Sequence, residues 1–320
     1  MNMNRKLYAR GMIGQYWYNF TELLAYALTF KPVPNELIYT KKLYYGQDKM
    51  QYINTCERKD VTDEKKPLLI YIHGGGWISG ITEMRNTYLF EWAKKGFFVA
   101  SVSYTYAPQK VYPYQLKEVF SAIDFILDNA EIYNIDTENI VLAGESAGGY
   151  FVTYAASCAT DNSVLDKLNI EFRHRDSFKV NAIVSHCGCY SIDRLTDISK
   201  KQSKFPDIKM MVSTFMGMNI ADVRKQIEAD SYNLISPVVT EYFPPIFVTW
   251  GDKDLLRYEA FDFADELKKN NVPYVLYKSD GVIGLHAWSI VTLFKKSRIC
   301  LDEAFKFVSQ YISYETILKN

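Results

Sequence analysis

The sequence predicts an α/β fold, with a mostly parallel central sheet flanked by helices on both faces. Two observations carry this. Short runs rich in β-branched and aromatic residues recur between residues 67 and 277, and they are apolar throughout, as strands buried on both faces are. Between them lie stretches whose apolar residues recur at helical spacing, and strand–helix alternation is the pattern of a covered parallel sheet.

In order, residues 8–30 read as one or two amphipathic helices ended by Pro32 and Pro34. Leu37–Tyr45 and Lys49–Cys56 read as short strands, joined as a hairpin through Gly46-Gln47-Asp48, and the charged run Glu57–Lys66 as a loop. A buried strand, Pro67–Ile72, leads into His73-Gly74-Gly75-Gly76-Trp77. A helix is expected over Met84–Lys95, a strand over Phe97–Ser103 and a helix over Gln115–Asp128, with Leu116, Val119, Phe120, Ile123, Ile126 and Leu127 on one face. Ile140–Ala143 is the next strand, and a helix follows to about Ser157. Further strands are expected at Val180–Ser185, Pro245–Trp250 and Tyr274–Tyr277. Helices are expected at Tyr258–Lys269, with Phe261, Ala264 and Leu267 inward, and at Arg298–Tyr311. Residues 191–235 break the alternation. They carry charge clusters and then Met210, Met211, Phe215, Met216 and Met218, flexible thioethers that suit an adaptable surface over a pocket.

Bulk composition narrows the function classes. Across 320 residues, 37 Lys and Arg balance 37 Asp and Glu, so no basic field argues for a nucleic acid partner. Five scattered cysteines make no disulfide framework, and all five are expected to be reduced, mostly buried thiols, with Cys187 and Cys189 on one strand. No cysteine–histidine set has zinc spacing and no HExxH occurs, so no metal is expected. Arg5, Lys6 and Arg10 precede an aromatic segment, and Ala25-Tyr26-Ala27 imitates a cleavage site. Gln15, Asn19 and Glu22 interrupt the apolar run a signal peptide needs. No stretch approaches the roughly 20 apolar residues of a membrane span. A cytoplasmic protein without stable membrane insertion is expected, and no long exposed apolar face is evident.

The chain is organised around Gly144-Glu145-Ser146-Ala147-Gly148, which follows a strand and opens a helix. This is the G-x-S-x-G nucleophile elbow. A serine on so sharp a turn adopts strained backbone angles, and side chains two positions either side would collide with it, so glycine is needed at both. The turn lifts Oγ above free N–H groups at the helix N-terminus. Three glycines at 74–76 let a second loop approach a substrate and point N–H groups inward; with the N–H of Ala147 they form an oxyanion hole.

Elimination finds the base among four histidines. His73 orders the glycine loop, His174 lies in a charged solvated stretch, and His186 ends a strand ahead of any suitable acid. His286 follows the last strand in a flexible loop, Gly281–His286, and preserves the chain order Ser, Asp, His. Two aspartates, Asp252 and Asp254, compete on the loop after Phe247–Trp250.

Together, His73-Gly74-Gly75-Gly76-Trp77, Gly144-Glu145-Ser146-Ala147-Gly148-Gly149, and Gly251 with Asp254-Leu255-Leu256 and then His286 resemble the hormone-sensitive-lipase-like branch of the α/β-hydrolases. Ser103-Tyr104-Thr105-Tyr106-Ala107-Pro108 is similar to that family's Tyr-Arg-Leu-Ala-Pro stretch, with Thr105 and Tyr106 in place of Arg and Leu. The resemblance spans roughly residues 65–290. It implies an α/β-hydrolase sheet with a helical cap, here assigned to about 1–35 and 191–235 of a single 1–320 domain. It also implies carboxylester hydrolysis of short- to medium-chain substrates without a cofactor. The family's Asp-x-Leu pattern implies Asp254 as the acid beside Ser146 and His286, and its second and third glycines imply Gly75 and Gly76 as oxyanion donors with Ala147. The expected partner is a small-molecule ester, with a homodimer allowed for. An amide-directed hydrolase (a peptidase or arylformamidase) and a non-catalytic binding protein on the same scaffold are the rival readings.

Overall fold

The structure is a computed structural model and describes residues 3–60, 65–201, 207–229, 234–279 and 284–313, without the side chains of residues 28 and 198–201. Its centre is a sheet of eight strands among the described residues: β1 (Leu37–Tyr44), β2 (Tyr52–Arg58), β3 (Lys66–Ile72), β4 (Phe98–Val102), β5 (Ile135–Glu145), β6 (Ala182–His186), β7 (Ile246–Gly251) and β8 (Tyr274–Ser279). Their order is β1-β2-β4-β3-β5-β6-β7-β8. The hairpin β1–β2 pairs antiparallel, as does β2 with β4. Every pairing from β4 to β8 is parallel. The expected α/β class and mostly parallel sheet are therefore present.

Strand alternation divides the core into two layers. Leu68, Ile70 and Ile72 of β3 turn to one face. There they meet α3 (Tyr114–Asp128), α4 (Ala147–Thr160) and α9 (Arg257–Lys269) through Leu116, Phe120, Phe151, Ala155, Ala260 and Phe263. Leu69 and Tyr71 turn to the other, packing with α2 (Asn86–Lys94) and α10 (Lys295–Val308) through Leu89, Trp92, Leu301 and Phe305. Both faces are covered, which is why these strands lack polar alternation.

Several boundaries differ from expectation. β5 begins at Ile135, since Ile135 and Asp136 pair with Lys66 and Pro67 at the start of β3 and an irregularity follows before Ile140. The expected helix at 84–95 splits into a 3₁₀ turn, Thr82–Arg85, and α2. In α9 the inward residues are Ala260, Phe263, Ala264 and Leu267, while Phe261 packs edge-on against Trp250 at 4.6 Å on the rim. α10 starts at Lys295. Cys187 and Cys189 lie past the end of β6, where Cys187 has φ +48°, so they share a turn and not a strand. All five cysteines are free and buried.

Among the described residues, the stretches before β1 and between β6 and β7 hold helices and no strand. α1 (Arg5–Thr29) is one continuous helix. A short α5 (Ser163–Lys167) follows α4, and α6 (Ile192–Lys201), α7 (Ile208–Met216) and α8 (Ile220–Ala229) occupy the stretch without a strand pattern. Asp207 caps α7 by accepting from the Met210 N–H at 2.8 Å, and Gly217 ends it at φ +72°. Gly11 and Gly14 let α1 sit close on α7, since a Cβ there would come within 2.6 Å of Thr214 and 2.4 Å of Met210. Among the described residues no helix is long and apolar enough to cross a membrane.

Candidate active site

Ser146 stands between the end of β5 and the start of α4 at φ +54°, ψ −119°, a conformation a side chain rarely adopts. Its N–H donates to the His186 carbonyl at 3.0 Å and its carbonyl accepts from Cys189 N–H at 3.0 Å, which pins the turn. The flanking glycines are needed for a different reason from the one the motif suggests. A Cβ at Gly148 would lie 1.9 Å from the Ile72 carbonyl oxygen, and one at Gly144 would lie 2.7 Å from both Ile72 and Gly148. The obstacle is the end of β3 and the opposite limb of the turn, not the serine. Gly149 in turn lets α4 approach Gly188, 2.7 Å from where its Cβ would be.

The glycine loop follows β3 directly. The Gly74 N–H is already taken, donating to Glu145 Oε1 at 2.8 Å. Gly75 and Gly76 sit at φ +114° and +60°. Among the described residues the N–H groups of Gly75, Gly76 and Ala147 make no protein hydrogen bond, which leaves three donors beside Ser146. His73 is buried, with Nδ1 2.7 Å from the Gly74 carbonyl and its ring stacked on Tyr104 at 4.6 Å. It braces the loop as expected. Thr105 bonds the buried Glu118 through its N–H at 2.6 Å and its hydroxyl at 2.7 Å.

Of the two competing aspartates, the structure brings Asp254 to His286. Nδ1 of His286 lies 3.1 and 3.0 Å from the two carboxylate oxygens. Asp252 instead lies against Gly284, where a Cβ would meet its Oδ1 at 1.9 Å. Asp254 is 1% exposed, and its carboxylate also accepts the Leu256 N–H at 2.8 Å. Burial favours the neutral acid, but the charge and hydrogen bond of His286, with the Leu256 N–H and the Cys187 thiol, hold its pKa below the ordinary value. Burial pushes the His286 imidazole down, yet Asp254 outweighs it and leaves the pKa raised above 6.5. Residues 280–283 of the histidine loop lie outside the described residues.

The other histidines are occupied elsewhere. His186 is buried beneath the sheet end, with Nε2 2.7 Å from the Tyr88 hydroxyl and Nδ1 2.8 Å from the Ser289 hydroxyl, and burial lowers its pKa to about 4. His174 is not in open solvent; its Nδ1 lies 2.8 Å from Asp124.

Two features were not legible as parts of the site, Cys187 and a buried ion cluster around Glu145. Cys187 brings its Sγ within 4.8 Å of the ligand atoms of Asp254 and His286. That spacing would suit a metal, but burial pushes the thiol pKa well up and keeps it protonated. Glu145, between Gly144 and Ser146, is 1% exposed and pairs with Arg85 through Nε at 2.6 Å and Nη2 at 2.5 Å. The Tyr71 hydroxyl also donates to it. Glu22 of α1 completes the cluster, 3.5 Å from Arg85. The one sequence signal was an acid inside the elbow.

These parts open into one cavity of about 470 Å³. Ser146, His286, Asp254, Gly75 and Gly76 line it with Tyr18 and Glu22 of α1, Leu195 of α6, and Ile208 and Met211 of α7. A larger recess of about 630 Å³ between α1, α7 and α8 holds none of the candidate catalytic side chains.

Comparison with known proteins fits this geometry. Esterase LipC of Mycobacterium tuberculosis is 27% identical over 221 residues, 68% of this chain and 51% of that protein, so the chain spans about half of its length. Hormone-sensitive lipase of Mus musculus is 34% identical over 85 residues, 26% of this chain and 11% of that protein. Esterase B of Lactobacillus rhamnosis shares the fold, with a TM-score of 0.81 at 17% identity, covering 96% of this chain and 95% of that one. The BD-FAE family matches residues 57–259, from the end of β2 through the elbow to the helix after Asp254, and this α/β-hydrolase chain belongs to that family.

Proposed function

We propose that this chain is a serine carboxylesterase acting on short- to medium-chain acyl esters through Ser146, Asp254 and His286. The carrying observation is the His286–Asp254 pair lining the same cavity as a strained Ser146 and three uncommitted N–H donors. Ser146 Oγ attacks the ester carbonyl while His286 Nε2 takes its proton. Asp254 fixes the tautomer with the proton on Nδ1 and stabilises the imidazolium. The tetrahedral oxyanion is held by the N–H groups of Gly75, Gly76 and Ala147, each worth about 3–4 kcal/mol of barrier. His286 then protonates the leaving alcohol, and water activated by the same imidazole frees the acyl group.

The chain is read as one domain, with α1 and α6–α8 forming a cap. A cavity of about 470 Å³ is towards the small end of the roughly 300–1,000 Å³ seen for ligand sites, which supports a short to medium acyl chain. Five free buried thiols support a cytoplasmic setting. The test is a panel of p-nitrophenyl esters beside peptide and formamide substrates, with peptide mapping after fluorophosphonate treatment. Ester turnover and an adduct on Ser146 are expected. An adduct on another serine, or faster turnover of the amides, overturns the reading.

A further inference from the structure

The first helix is built inside out. Its polar residues turn towards the protein: Gln15 Nε2 donates to the Ala107 carbonyl at 3.2 Å and to Gln109 at 3.0 Å, Asn19 accepts from the Gly80 N–H at 3.4 Å, and Glu22 meets Arg85. Its large apolar side chains turn to solvent. Ile13 and Tyr16 are each 70% exposed, Phe20 61%, Trp17 and Leu23 56%, and Leu24 54%. Positions 13, 16, 17, 20 and 24 follow the i, i+3, i+4, i+7, i+11 spacing of a single stripe, about 120° wide once Leu23 is included. The expectation that no long apolar face is exposed is thus corrected. The helix sits close on α7 through Gly11 and Gly14, and of its aromatics Tyr18 turns inward to the cavity while Tyr16, Trp17 and Phe20 stay outside.

A contiguous apolar stripe on this scale marks an interaction surface. Charge selects the occupant. Arg5, Lys6 and Arg10 are exposed, and helical spacing puts Lys6 within the stripe and the two arginines at its edges. Arg10 has Asp207 3.7 Å away, and the sole acid of the helix, Glu22, faces inward. A second copy of this helix laid on the face would offer these cations no exposed acid to pair with. A lipid surface with anionic headgroups accommodates the cations and the aromatics together.

We propose that α1 is a peripheral docking surface for anionic phospholipid membranes, on which the helix lies flat without crossing. The inner side of the same helix walls the candidate active-site cavity through Tyr18 and Glu22, and exposed Leu255 and Leu285 line that cavity too. Docking therefore sets the cavity beside the lipid. The proposal stands on the helix face and does not depend on which serine is the nucleophile.

The experiment is co-sedimentation of the full chain with phosphatidylcholine vesicles, with and without phosphatidylglycerol. Binding is expected only with phosphatidylglycerol, weakening as salt rises. Trp17→Ser, Phe20→Ser and Leu24→Ser combined should weaken partitioning at least tenfold, about 1.4 kcal/mol. Arg5→Glu with Lys6→Glu should abolish the preference for the anionic lipid while leaving the stripe. Both variants should keep hydrolysis of soluble p-nitrophenyl butyrate, which serves as the folding check. Wild-type protein that stays in the supernatant with both vesicles, or binds them equally, overturns the proposal. A concentration-dependent dimer that the triple variant dissolves would assign the face to a second copy instead.

Discussion

Arg85→Met tests what holds the elbow and the glycine loop together. Arg85 is 3% exposed and lies between two acids: Glu145, itself 1% exposed, and Glu22. Burial raises the Glu145 pKa, but Arg85 outweighs this, with help from Tyr71 and the Gly74 N–H, and holds it below 4.5. Removing the guanidinium leaves an uncompensated buried carboxylate, a loss of about 3–5 kcal/mol. At about 2–4 °C per kcal/mol for a chain of this size, Tm should fall by about 6–20 °C. The sign with pH is also fixed. In the wild type Glu145 has a lowered folded pKa, so its contribution is present above the unfolded value near 4.3 and is lost as pH falls. In the variant burial dominates, the folded pKa is raised, and the penalty grows as pH rises through it. The Tm gap between the two proteins should therefore narrow as pH is lowered from about 8 to about 5. Adding Glu145→Gln to Arg85→Met should recover part of the loss by removing the stranded charge. The readout is thermal unfolding followed by circular dichroism across that pH range. A Tm within 2 °C of wild type, or a gap independent of pH, would refute the argument that Glu145 is held ionised by Arg85.

Asp254→Asn should lower kcat/KM by about 10⁴-fold by stabilising the wrong imidazole tautomer, while Asp252→Asn costs less than tenfold; a reversed order would show Asp252 to be the acid. The pH profile of kcat/KM should fall on the acid side with an apparent pKa above 6.5, because Asp254 raises that of His286, and Asp254→Asn should move the limb to lower pH. A limb below 6.5 in the wild type contradicts this coupling. Across soluble p-nitrophenyl esters, kcat/KM should rise by up to about fourfold per CH₂, from 0.8 kcal/mol of burial each, and then fall once the chain outgrows the cavity. An optimum at palmitate would contradict a cavity of about 470 Å³.

The sequence by itself determined the features set by local geometry and burial. Strands such as Leu68–Ile72 and Ile140–Ala143 are apolar on both faces because both faces are covered, and that pattern is written residue by residue. The elbow was legible because its turn packs on the end of β3 and on itself, which leaves room only for glycine at 144 and 148. His286 was found by elimination, and the structure pairs it with an aspartate. What only the tertiary structure decided depends on contacts between distant segments. Asp252 and Asp254 sit two residues apart on one loop, and spacing alone cannot tell which meets a histidine 32 positions beyond Asp254. The Glu22–Arg85–Glu145 cluster joins three segments separated by about 60 residues each, so none of its members stands out along the chain. The helix at 5–29 reads as amphipathic either way round, because periodicity gives the stripe but not the side it faces. Its direction was fixed by Gln15, Asn19 and Glu22, whose partners at Ala107, Gly80 and Arg85 come from remote parts of the chain. A buried polar group must find such partners, so these three residues turned inward and left Tyr16, Trp17 and Phe20 outside.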